Sequence, residues 1–584
     1  MTITSIKTAS GLPWQLRADD DRLALAMAQQ HGISELLAGI LAGRNVALDD
    51  VPKFLNPTLR DALPDPFHLL DMDKAVARIV QALNEKQAIA VFGDYDVDGA
   101  TSTAVLHHYF AALGVAITPY IPDRMAEGYG PTVEGFGKLI DGGAKLIITV
   151  DCGTLAHGPI AYAKARGVDV MVLDHHLSSG ALPMAAAVVN PNRVDETSPH
   201  TNLAAVGVTF LFLVALNKQL RADGYFQSLA QEPNLLPLLD MVALGTVCDV
   251  MPLTGLNRVL VAQGLKVMAG RRNLGLAVLG DVARLDEAPN VYHLGFLLGP
   301  RINAGGRVGA SGLGVALLSS NDAFAAQQMA ETLDKHNAER QAIEAMVSEQ
   351  AFAAAERQTN LPVIMVAGTG WHQGVIGIVA GRLKEKFQRP AVVVSLENGV
   401  GKASARSVAG ADFGAAVHAA LAEELLTHGG GHAMAAGFSL KAELLEKLHA
   451  FLIARLESAV ARYNESRVKK YDGFLSVAGA SLHTLDDIGR AEPYGLGNPG
   501  PRFILPDVRV MHHNIMKDKH LRLSLGDDSC SARLNAVAFN AVGTELGEML
   551  TSQRSLNLLG ELKRNRWQGR ETAQFLIDDA GTSS

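Results

Sequence analysis

Three short apolar segments of this chain each run directly into aspartate or histidine. They are AIAVFGDYDVDG at 88–99, KLIITVDCG at 145–153 and VDVMVLDHH at 168–176. Each apolar run is continuous and rich in β-branched residues, which is typical of strands covered on both faces in a parallel sheet. The pattern therefore predicts buried strands that carry acids and imidazoles at their ends.

Helix-like stretches separate these strands, at 101–114, 132–143 and 157–167. Strand and helix in alternation indicate βαβ units, whose crossovers are right-handed and whose strands point the same way. The carboxyl ends of such strands meet at one edge of the sheet, where open α/β folds bind their ligands. We therefore expect an α/β domain whose polar strand-end residues gather at one edge.

The residues expected at that edge combine carboxylates with imidazoles: Asp94, Asp96, Asp98, Asp151, Asp174, His175 and His176. Hard oxygen ligands with imidazole suit Mn²⁺ or Mg²⁺ better than thiolate-preferring metals. So many close carboxylates repel one another, and a pair of ions about 3.5–4 Å apart, as in enzymes that cleave phosphodiesters, would neutralise them. A single aspartate after a strand is commonly only a helix cap, but capping needs one acid rather than a DxDxD run. The cluster predicts phosphoryl-transfer chemistry.

These motifs carry a family resemblance. The Asp174-His175-His176 triplet with GDYDVDG upstream resembles the DHH phosphoesterase superfamily, and within it the RecJ family of 5′→3′ exonucleases specific for single-stranded DNA. Further motifs in family order extend the resemblance over almost the whole chain, among them VVNPNR, GTVCDVMPL, GPRINAGGR, GWHQGVIGIVAGRL, GKASARS and GGGHAMAAGF. The resemblance implies an α/β fold class: a parallel-sheet DHH domain joined by a long helix to an α/β DHHA1 domain, plus a C-terminal β-barrel of the OB-fold type.

The resemblance also implies the roles of individual residues. It assigns two Mn²⁺ or Mg²⁺ ions to a ligand set made of Asp94, Asp96, Asp98, Asp151, His175 and Asp249. It makes Asp151, as the bridge between the ions, catalytic together with His175 and His176. Asp249 follows from the resemblance alone, because 240–250 reads first as a buried helix end with a capping acid. Cys152 and Cys248 flank two ligand positions, and we interpret them as small buried spacers.

The second half of the chain offers groups that suit phosphate. The glycine-rich run at 429–438 can bring backbone N–H groups close to phosphate oxygens, although such a run can also be only a tight turn. His432 lies inside it, and Ser404 and Arg406 lie in GKASARS. We predict that these three residues, with Arg301 from GPRINAGGR, bind the substrate phosphates, as the resemblance implies for the DHHA1 clamp.

Composition predicts the connecting helix and the C-terminal strands, and the resemblance implies the other domains. Residues 321–358 contain no Gly or Pro and begin at an Asn-Asp cap, which predicts a long connecting helix. We expect five parts: an N-terminal segment at 1–75, a DHH domain at 76–320, the helix at 321–358, a DHHA1 domain at 359–464 and an OB-fold at 465–584. Five alternating segments predict the barrel strands, and Trp567, Phe539 and Phe575 are expected either to contact bases or, for the two phenylalanines, to fill the barrel.

Charge and cysteine content bear on the partners and the cellular compartment of the protein. The formal net charge of −8 at first argues against a nucleic-acid partner, but the clustered site acids account for much of the excess. Three cysteines, including Cys530, are too few and too irregularly spaced for a disulfide framework and indicate a reducing compartment. Because the sequence has no long uncharged apolar run, we expect a soluble, cytoplasmic protein that has no membrane partner. We also expect it to be a monomer.

The sequence thus predicts a metal-dependent exonuclease that degrades single-stranded DNA from the 5′ end to mononucleotides. By family resemblance it would act in recombination and DNA repair, with a single-strand-binding protein and a RecQ-type helicase as partners. Two alternatives stay open: a DHH-family phosphodiesterase of short oligonucleotides or cyclic dinucleotides, and a non-catalytic DNA-binding scaffold. The choice between Mn²⁺ and Mg²⁺ also stays open.

Overall fold

The structure is a computed structural model, and it describes residues 6–18, 21–123, 127–128, 130–178, 180–228, 231–527, 532–552 and 555–583. Cys530 lies outside the described residues. The N-terminal segment consists of two short strands and four helices: β1 (Ile6–Thr8), β2 (Trp14–Leu16), α1 (Asp21–His31), α2 (Glu35–Ala42), α3 (Val51–Leu55) and α4 (Leu59–Ala62).

The first large unit contains a five-stranded, all-parallel sheet in the order β4-β3-β5-β6-β7. Its elements are α5 (Met72–Asn84), β3 (Ile89–Gly93), α6 (Val97–Ala112), β4 (Ile117–Tyr120), α7 (Val133–Asp141), β5 (Leu146–Val150), α8 (His157–Ala165), β6 (Asp169–Leu173) and β7 (Ala187–Val189). Strands β3 and β5 are buried at every position, as the continuous apolar runs predicted. The predicted parallel α/β sheet is confirmed.

A helical half follows the sheet and packs on one of its faces. It consists of α9 (Ala205–Ala222), α10 (Tyr225–Ser228), α11 (Leu239–Cys248), α12 (Gly255–Ala269), α13 (Leu274–Val282), the π-helix His293–Leu298, α14 (Gly299–Val308) and α15 (Leu313–Leu318). Among the described helices, α9 is long and apolar enough to cross a membrane, and 72% of that segment is buried inside the protein. It forms part of the domain core.

The connecting helix is α16 (Ala323–Ala355), and the side chain of Asp322 caps it by accepting hydrogen bonds from the amides of Phe324 and Ala325. Its 33 residues span about 50 Å at 1.5 Å per residue. The first half of α16 packs on α13, α14 and α15, and its second half on the next domain. The predicted long helix between two α/β units is confirmed.

The second α/β unit has a mixed sheet in the order β11-β12-β10-β9-β8, with β8 and β9 parallel and the other pairs antiparallel. Its elements are β8 (Ile364–Thr369), α17 (Gln373–Phe387), β9 (Ala391–Glu397), β10 (Val400–Arg406), α18 (Phe413–Ala422), β11 (His428–His432), β12 (Ala435–Lys441) and α19 (Leu445–Glu465).

The C-terminal unit is a closed five-stranded barrel, because β15, β16, β17, β19 and β18 pair in a ring. Its elements are β13 (Lys469–Tyr471), β14 (Gly473–Phe474), α20 (Leu482–Gly489), β15 (Phe503–Met516), β16 (His520–Gly526), β17 (Arg533–Ala538), α21 (Glu545–Thr551), β18 (Ser555–Trp567) and β19 (Arg570–Ser583). The barrel confirms the predicted five strands. Phe575 is fully buried in its core, which agrees with the alternative that it fills the barrel, whereas Phe539 and Trp567 are exposed.

The N-terminal segment packs on the barrel. Strand β1 pairs with β19, β2 pairs with β13, and helices α1 and α2 share one apolar core with the barrel strands. Buried Asp472 accepts hydrogen bonds from Arg17 and Arg44 of this segment. Sequence patterning could not predict this contact, because more than 400 residues separate the partners.

Candidate functional site

The sheet brings the predicted acids to one edge. Asp94 follows β3, Asp151 follows β5 and Asp174 follows β6, and these three strands are neighbours in the sheet. The amide of Asp94 donates to the carbonyl of Val150, and the amide of Asp151 donates to that of Leu173. The strand ends are therefore held in register up to the acids themselves.

The side chains at this edge form three overlapping groups whose ligand atoms lie within 4.8 Å of one another: Asp94 with Asp96 and Asp151; Asp151 with His175 and His176; Asp98 with His175 and Asp249. His175 is central. Its Nε2 lies 3.3 Å from Oδ1 of Asp151 and 3.5 Å from Oδ2 of Asp249. All six predicted metal ligands, together with His176, thus lie in one cluster.

Two of these acids also hold helix ends. Asp96 caps α6, and its Oδ1 accepts the amides of Asp98 and Gly99. Asp98 accepts the first amides of α9, from Ala205 and Val206, at the positive end of that helix. The capping role considered as an alternative for such acids is therefore real for Asp96, and it coexists with a place in the cluster.

Glycine makes this close packing possible. A Cβ on Gly99 would lie 2.3 Å from the carbonyl oxygen of Asp94, and one on Gly245 would lie 2.4 Å from Oγ1 of Thr101. The loop of Asp94 and helix α11 can therefore approach α6 only because these two positions carry no side chain.

The buried acids resist ionisation. Burial, followed by the negative charge of Asp96, raises the pKa values of both Asp151 and Asp98. Burial and the charge of Asp98 likewise raise the pKa of Asp249. Without cations, these carboxylates cannot all carry their charge at neutral pH.

The two histidines have opposite protonation. Burial, followed by the charge of His176, lowers the pKa of His175 to about 4 and keeps its ring neutral. Burial also opposes the charged form of His176, but the hydrogen bond and charge of Asp174 outweigh it and raise the pKa of His176 to about 9. A hydrogen bond to the backbone of Leu203 orients the His175 ring. A neutral imidazole held at one nitrogen is the form that binds a metal ion at the other.

The residues present fit divalent cations. Nε2 of His175 and Oδ2 of Asp249 are buried and have no hydrogen-bond partner, which is costly unless another group satisfies them. Carboxylates with one neutral imidazole suit Mn²⁺ or Mg²⁺. Asp151 (φ 61°) and Val250 (φ 57°) adopt left-handed backbone conformations, and strain of this kind clusters at functional sites.

The neighbouring cysteines are not arranged as ligands. The thiol of Cys152 donates to the carbonyl of Val150, and that of Cys248 donates to the carbonyl of Leu294. Burial raises the pKa of both thiols, which opposes formation of the thiolate that a metal requires. Cys152 is a buried side chain, as interpreted from the sequence, and Cys248 is partly buried.

Sequence reasoning assigned no role to Asn190, which supports the site from the end of β7. Its side-chain amide donates to Oγ1 of Thr154 and to the carbonyl of His176. Asn192 in the same loop donates to the carbonyl of His175. The signal that could have found Asn190 is its place after the fifth parallel strand, at the same edge as the acids.

The predicted phosphate-binding residues lie on the second α/β unit. Ser404 and Arg406 are on β10 and face α17, where a Cβ on Gly377 would lie 3.5 Å from Oγ of Ser404 and 3.1 Å from Nη2 of Arg406. His432 is exposed at the end of β11, and both His432 and Arg406 pair with Ala435 of the strand between them. Three of the four predicted residues therefore lie on β10 and β11, the two strands that flank β12.

Arg301 is placed differently. It lies on α14, where its guanidinium donates to Oδ1 of Asp334 on the connecting helix, at 2.9 Å, and to the carbonyl of Leu297, at 2.7 Å. The structure therefore gives it a structural partner, and it does not bring Arg301 into the group formed by Ser404, Arg406 and His432.

Helix α14 connects the acid cluster with the phosphate-binding residues. A Cβ on Gly306 would lie 3.0 Å from the carbonyl oxygen of Tyr95, inside the DxDxD loop. The adjacent Arg307 donates to the carbonyl of Gly374, one helical turn before Gly377. Helix α14 therefore contacts both the loop of the acids and the helix that carries Gly377.

This fold and site define a metal-dependent phosphoesterase of the DHH class. Residues 88–246 match the DHH family, N-terminal domain, residues 360–458 match the DHHA1 domain, and residues 471–579 match the RecJ OB domain. All three matches fall on separate units of the structure.

Similar proteins narrow the class. The chain is 33% identical to the single-stranded-DNA-specific exonuclease RecJ of Bacillus subtilis, over 98% of this chain and 71% of that protein. It is 37% identical to the same enzyme of Dickeya dadantii, over 86% of this chain and 89% of that protein. The crystal structure of RecJ in complex with Mn²⁺ from Thermus thermophilus matches with a TM-score of 0.81 at 29% identity, covering 97% of this chain and 79% of that one. The chain belongs to the RecJ family.

Proposed function

We propose that this protein is a metal-dependent exonuclease that degrades single-stranded DNA from the 5′ end to mononucleotides. The observation that carries the proposal is the cluster around His175, whose unpartnered Nε2 faces Asp151 and Asp249. Relatives that share most of the chain are named single-stranded-DNA-specific exonucleases, and solved relatives bind Mn²⁺ or Mg²⁺.

In this proposal, the six-residue ligand set would hold two Mn²⁺ or Mg²⁺ ions. Asp151 and His175 each belong to two of the three ligand groups, and the bridging role of Asp151 rests on the family resemblance. Bound there, the ions supply charge neutralisation and a lowered pKa for a water nucleophile. His175 would bind an ion through Nε2. Asp174 keeps a proton on Nδ1 of His176, so that proton exchange with the substrate takes place at Nε2 of that ring.

The phosphate groups are placed by Ser404, Arg406 and His432. A guanidinium and a hydroxyl on β10, with an imidazole on β11 across β12, offer donors to successive phosphate oxygens. Arg301 would have to leave Asp334 before it could contact a phosphate, so its predicted substrate role rests on the family resemblance alone.

We also propose the division into domains at 76–320, 359–464 and 465–584, with the connecting helix at 321–358. The packing of β1, β2, α1 and α2 on the barrel supports treating most of the N-terminal segment as part of the barrel unit. The barrel would bind the single strand ahead of the cleavage site.

The cellular process, the compartment and the partners are proposed from the family resemblance. We propose action in recombination and DNA repair in the cytoplasm, as a monomer. A single-strand-binding protein and a RecQ-type helicase would supply the strand. Sedimentation of the purified protein and affinity capture with each candidate partner test this setting.

Cleavage of one single-stranded DNA, labelled at the 5′ or the 3′ end, tests the function. With Mn²⁺ or Mg²⁺, immediate release of the 5′ label as a mononucleotide and gradual shortening of the 3′-labelled strand are expected. EDTA should stop both reactions, and the duplex should resist cleavage. Loss of the 3′ label first would refute the polarity.

The two alternatives give different results in the same assay. If only a dinucleotide is hydrolysed, the protein is a phosphodiesterase of short oligonucleotides or cyclic dinucleotides. If the strand is bound but never cut, it is a scaffold. The intact ligand set argues against the scaffold, since a protein without catalysis has no need of a cluster of mutually repelling carboxylates.

A further inference from the structure

A stacked pair of exposed aromatic rings lies on the helical segment that packs against the end of α11. Tyr292 and Phe296 stack with ring centroids 5.2 Å apart and an angle of 25° between the rings. They are 64% and 72% exposed, so neither ring contributes to the core. We refer to these two residues as the aromatic platform.

Phe296 lies within the π-helix His293–Leu298, and Tyr292 is the residue before that helix. π-Helical turns are rare and occur frequently at functional sites. This one rests on the end of α11, because the thiol of Cys248 donates to the carbonyl of Leu294 and a Cβ on Gly299 would lie 2.3 Å from Sγ of Cys248. The π-helix that carries the platform is therefore packed against the end of α11, at the residue before Asp249.

The barrel unit reaches the platform from the other side. Glu287 lies 3.1 Å from Nε2 of His293 and 2.8 Å from Nη1 of Arg566, which lies near the tip of the β18–β19 hairpin beside exposed Trp567. A second barrel-unit loop approaches from 495–497, where a Cβ on Gly495 would lie 3.7 Å from Cγ1 of Val291. The platform thus occupies the junction between the acid cluster and the barrel.

We propose that the aromatic platform stacks with unpaired bases of the single strand, on the 3′ side of the bond being cut. This inference rests on the proposed function and adds to it the place where the protein holds bases. Every base has a flat π-face, so stacking on Tyr292 or Phe296 holds a strand without reading its sequence.

The surroundings favour bases over other occupants. Two rings offer far less area than the roughly 800 Å² that each partner of a stable protein complex contributes. Phosphates need cations, but the platform is uncharged, and the nearby cation Arg566 is already paired with Glu287 and Glu571. A flat apolar surface between a phosphodiester-cleaving centre and a strand-binding barrel suits the bases that link the two.

The platform also provides selection for single strands. Bases in a duplex are paired and stacked on their neighbours, so their faces are not accessible to a protein ring. A strand that engages the platform must therefore be unpaired at this point. A base-paired substrate would lose this contact even where its backbone could reach the acids.

The test compares the Tyr292→Ala/Phe296→Ala double variant with the unchanged protein on a long single strand and on a dinucleotide. Loss of base stacking should lower kcat/KM on the long strand at least about fivefold, with no change on the dinucleotide, which is too short to reach the barrel side. Tyr292→Phe with Phe296→Trp should restore the rate. Phe324→Ala is the matched control, because Phe324 is also 72% exposed but lies at the start of the connecting helix.

Strands with one abasic position, moved stepwise from the 5′ end, provide the decisive readout. In equilibrium binding, the unchanged protein should bind at least one of these abasic strands more weakly than it binds the intact strand. The double variant should bind every abasic strand with the same affinity as the intact strand. Equal sensitivity of both proteins to abasic positions would overturn the proposed role of the platform in base stacking. A parallel loss on the dinucleotide would also overturn it, since the change would then have disturbed the centre rather than base binding.

These outcomes separate the two proposals. If the unchanged protein cuts no single strand, the proposed function fails, and abasic-dependent binding still decides the role of the platform. If it cuts strands normally and the double variant matches it in rate and binding, the platform alone fails.

Discussion

Oδ1 of Asp174 lies 2.8 Å from Nδ1 of His176, and Oδ2 of Asp174 accepts the amide of Thr154. Asp174 is fully buried, and the hydrogen bond and charge of His176 outweigh burial and hold the pKa of Asp174 below its usual range. The first residue of the DHH triplet thus orients the third, while the middle residue, His175, turns toward the acids.

Asp174→Asn is expected to lower kcat about 10- to 100-fold, the range typical of residues that orient metal-site groups. The amide cannot accept hydrogen bonds at all the positions that the carboxylate serves, so the His176 ring loses its fixed orientation. Steady-state kinetics on single-stranded DNA measure the effect. Asp195→Asn, which alters an exposed aspartate paired with Arg193, should leave kcat unchanged. An Asp174→Asn enzyme with normal kcat would contradict the orienting role.

Asp151→Asn is expected to abolish cleavage while leaving DNA binding largely intact. It should also raise the melting temperature of the metal-free protein, because it removes a buried carboxylate that Asp96, Asp98 and Asp94 repel. Mn²⁺ should stabilise the unchanged protein and have a much smaller effect on the variant. Thermal melts with Mn²⁺ and with EDTA test this, with exposed Asp73→Asn as the control. Residual activity with Mn²⁺ would remove Asp151 as the bridging ligand.

Gly377→Ala is expected to weaken DNA binding several-fold, because the new Cβ would lie 3.1 Å from Nη2 of Arg406 and displace the guanidinium. Gly381→Ala is the matched control, since it lies one turn further along the same helix and its Cβ meets nothing within 4 Å. Gly381→Ala should stabilise α17 by up to about 1 kcal/mol through helix propensity. KM and equilibrium affinity for single-stranded DNA separate the two variants. Equal affinities would show that Arg406 does not contact the strand.

Buried Asp240 should make stability depend on pH. Burial raises its pKa to about 7 in the folded protein, above the unfolded value near 3.8, and the folded state therefore binds the proton more tightly. The free energy of unfolding should fall as pH rises from about 4 to about 7, by on the order of 3 kcal/mol, and change little above that.

Asp240→Asn removes this titration, so its unfolding curve should be flatter over the same pH range than that of the unchanged protein. Denaturant melts at several pH values provide the measurement. Exposed Asp281→Asn is the control and should leave the pH dependence as it is. Identical pH profiles for the Asp240→Asn and unchanged proteins would show that Asp240 does not titrate in this way.

Arg258 joins the DHH domain to the barrel unit. It is buried, lies 3.8 Å above the ring of Phe54, and donates to the carbonyls of Phe54 and Glu492. Arg258→Ala should destabilise this contact by at least about 3 kcal/mol, because the buried acceptors lose a charged donor. Melting curves should show it, together with reduced activity on long strands.

Arg258→Lys should not restore the contact, since an ammonium cannot reproduce the planar fork. Arg271→Ala removes a half-exposed arginine of the same domain and should cost little. If Arg258→Ala melts like the unchanged protein, the barrel unit is held to the DHH domain by other contacts.

Local pattern was enough to predict the elements that have a simple period or a clear boundary. The apolar runs at 88–99 and 145–153 became buried parallel strands, and the uninterrupted stretch after Asp322 became one helix. The alternating segments after residue 500 became a barrel. Because parallel strands must end at a common edge, the meeting of Asp94, Asp151 and Asp174 also followed from the sequence.

Contacts between distant segments lay beyond that reasoning. Asp249 reaches the cluster only because α11 packs against α6, with Gly245 allowing the approach. Three further features also depend on packing between distant segments. They are the burial of Phe575 in the barrel core, the ion pair between Arg301 and Asp334, and the packing of the N-terminal segment on the barrel. The sequence by itself determined which strands form and where their acids emerge, since that depends on local hydrophobic period. Only the tertiary structure decided which side chains meet, because those contacts depend on how separate elements pack.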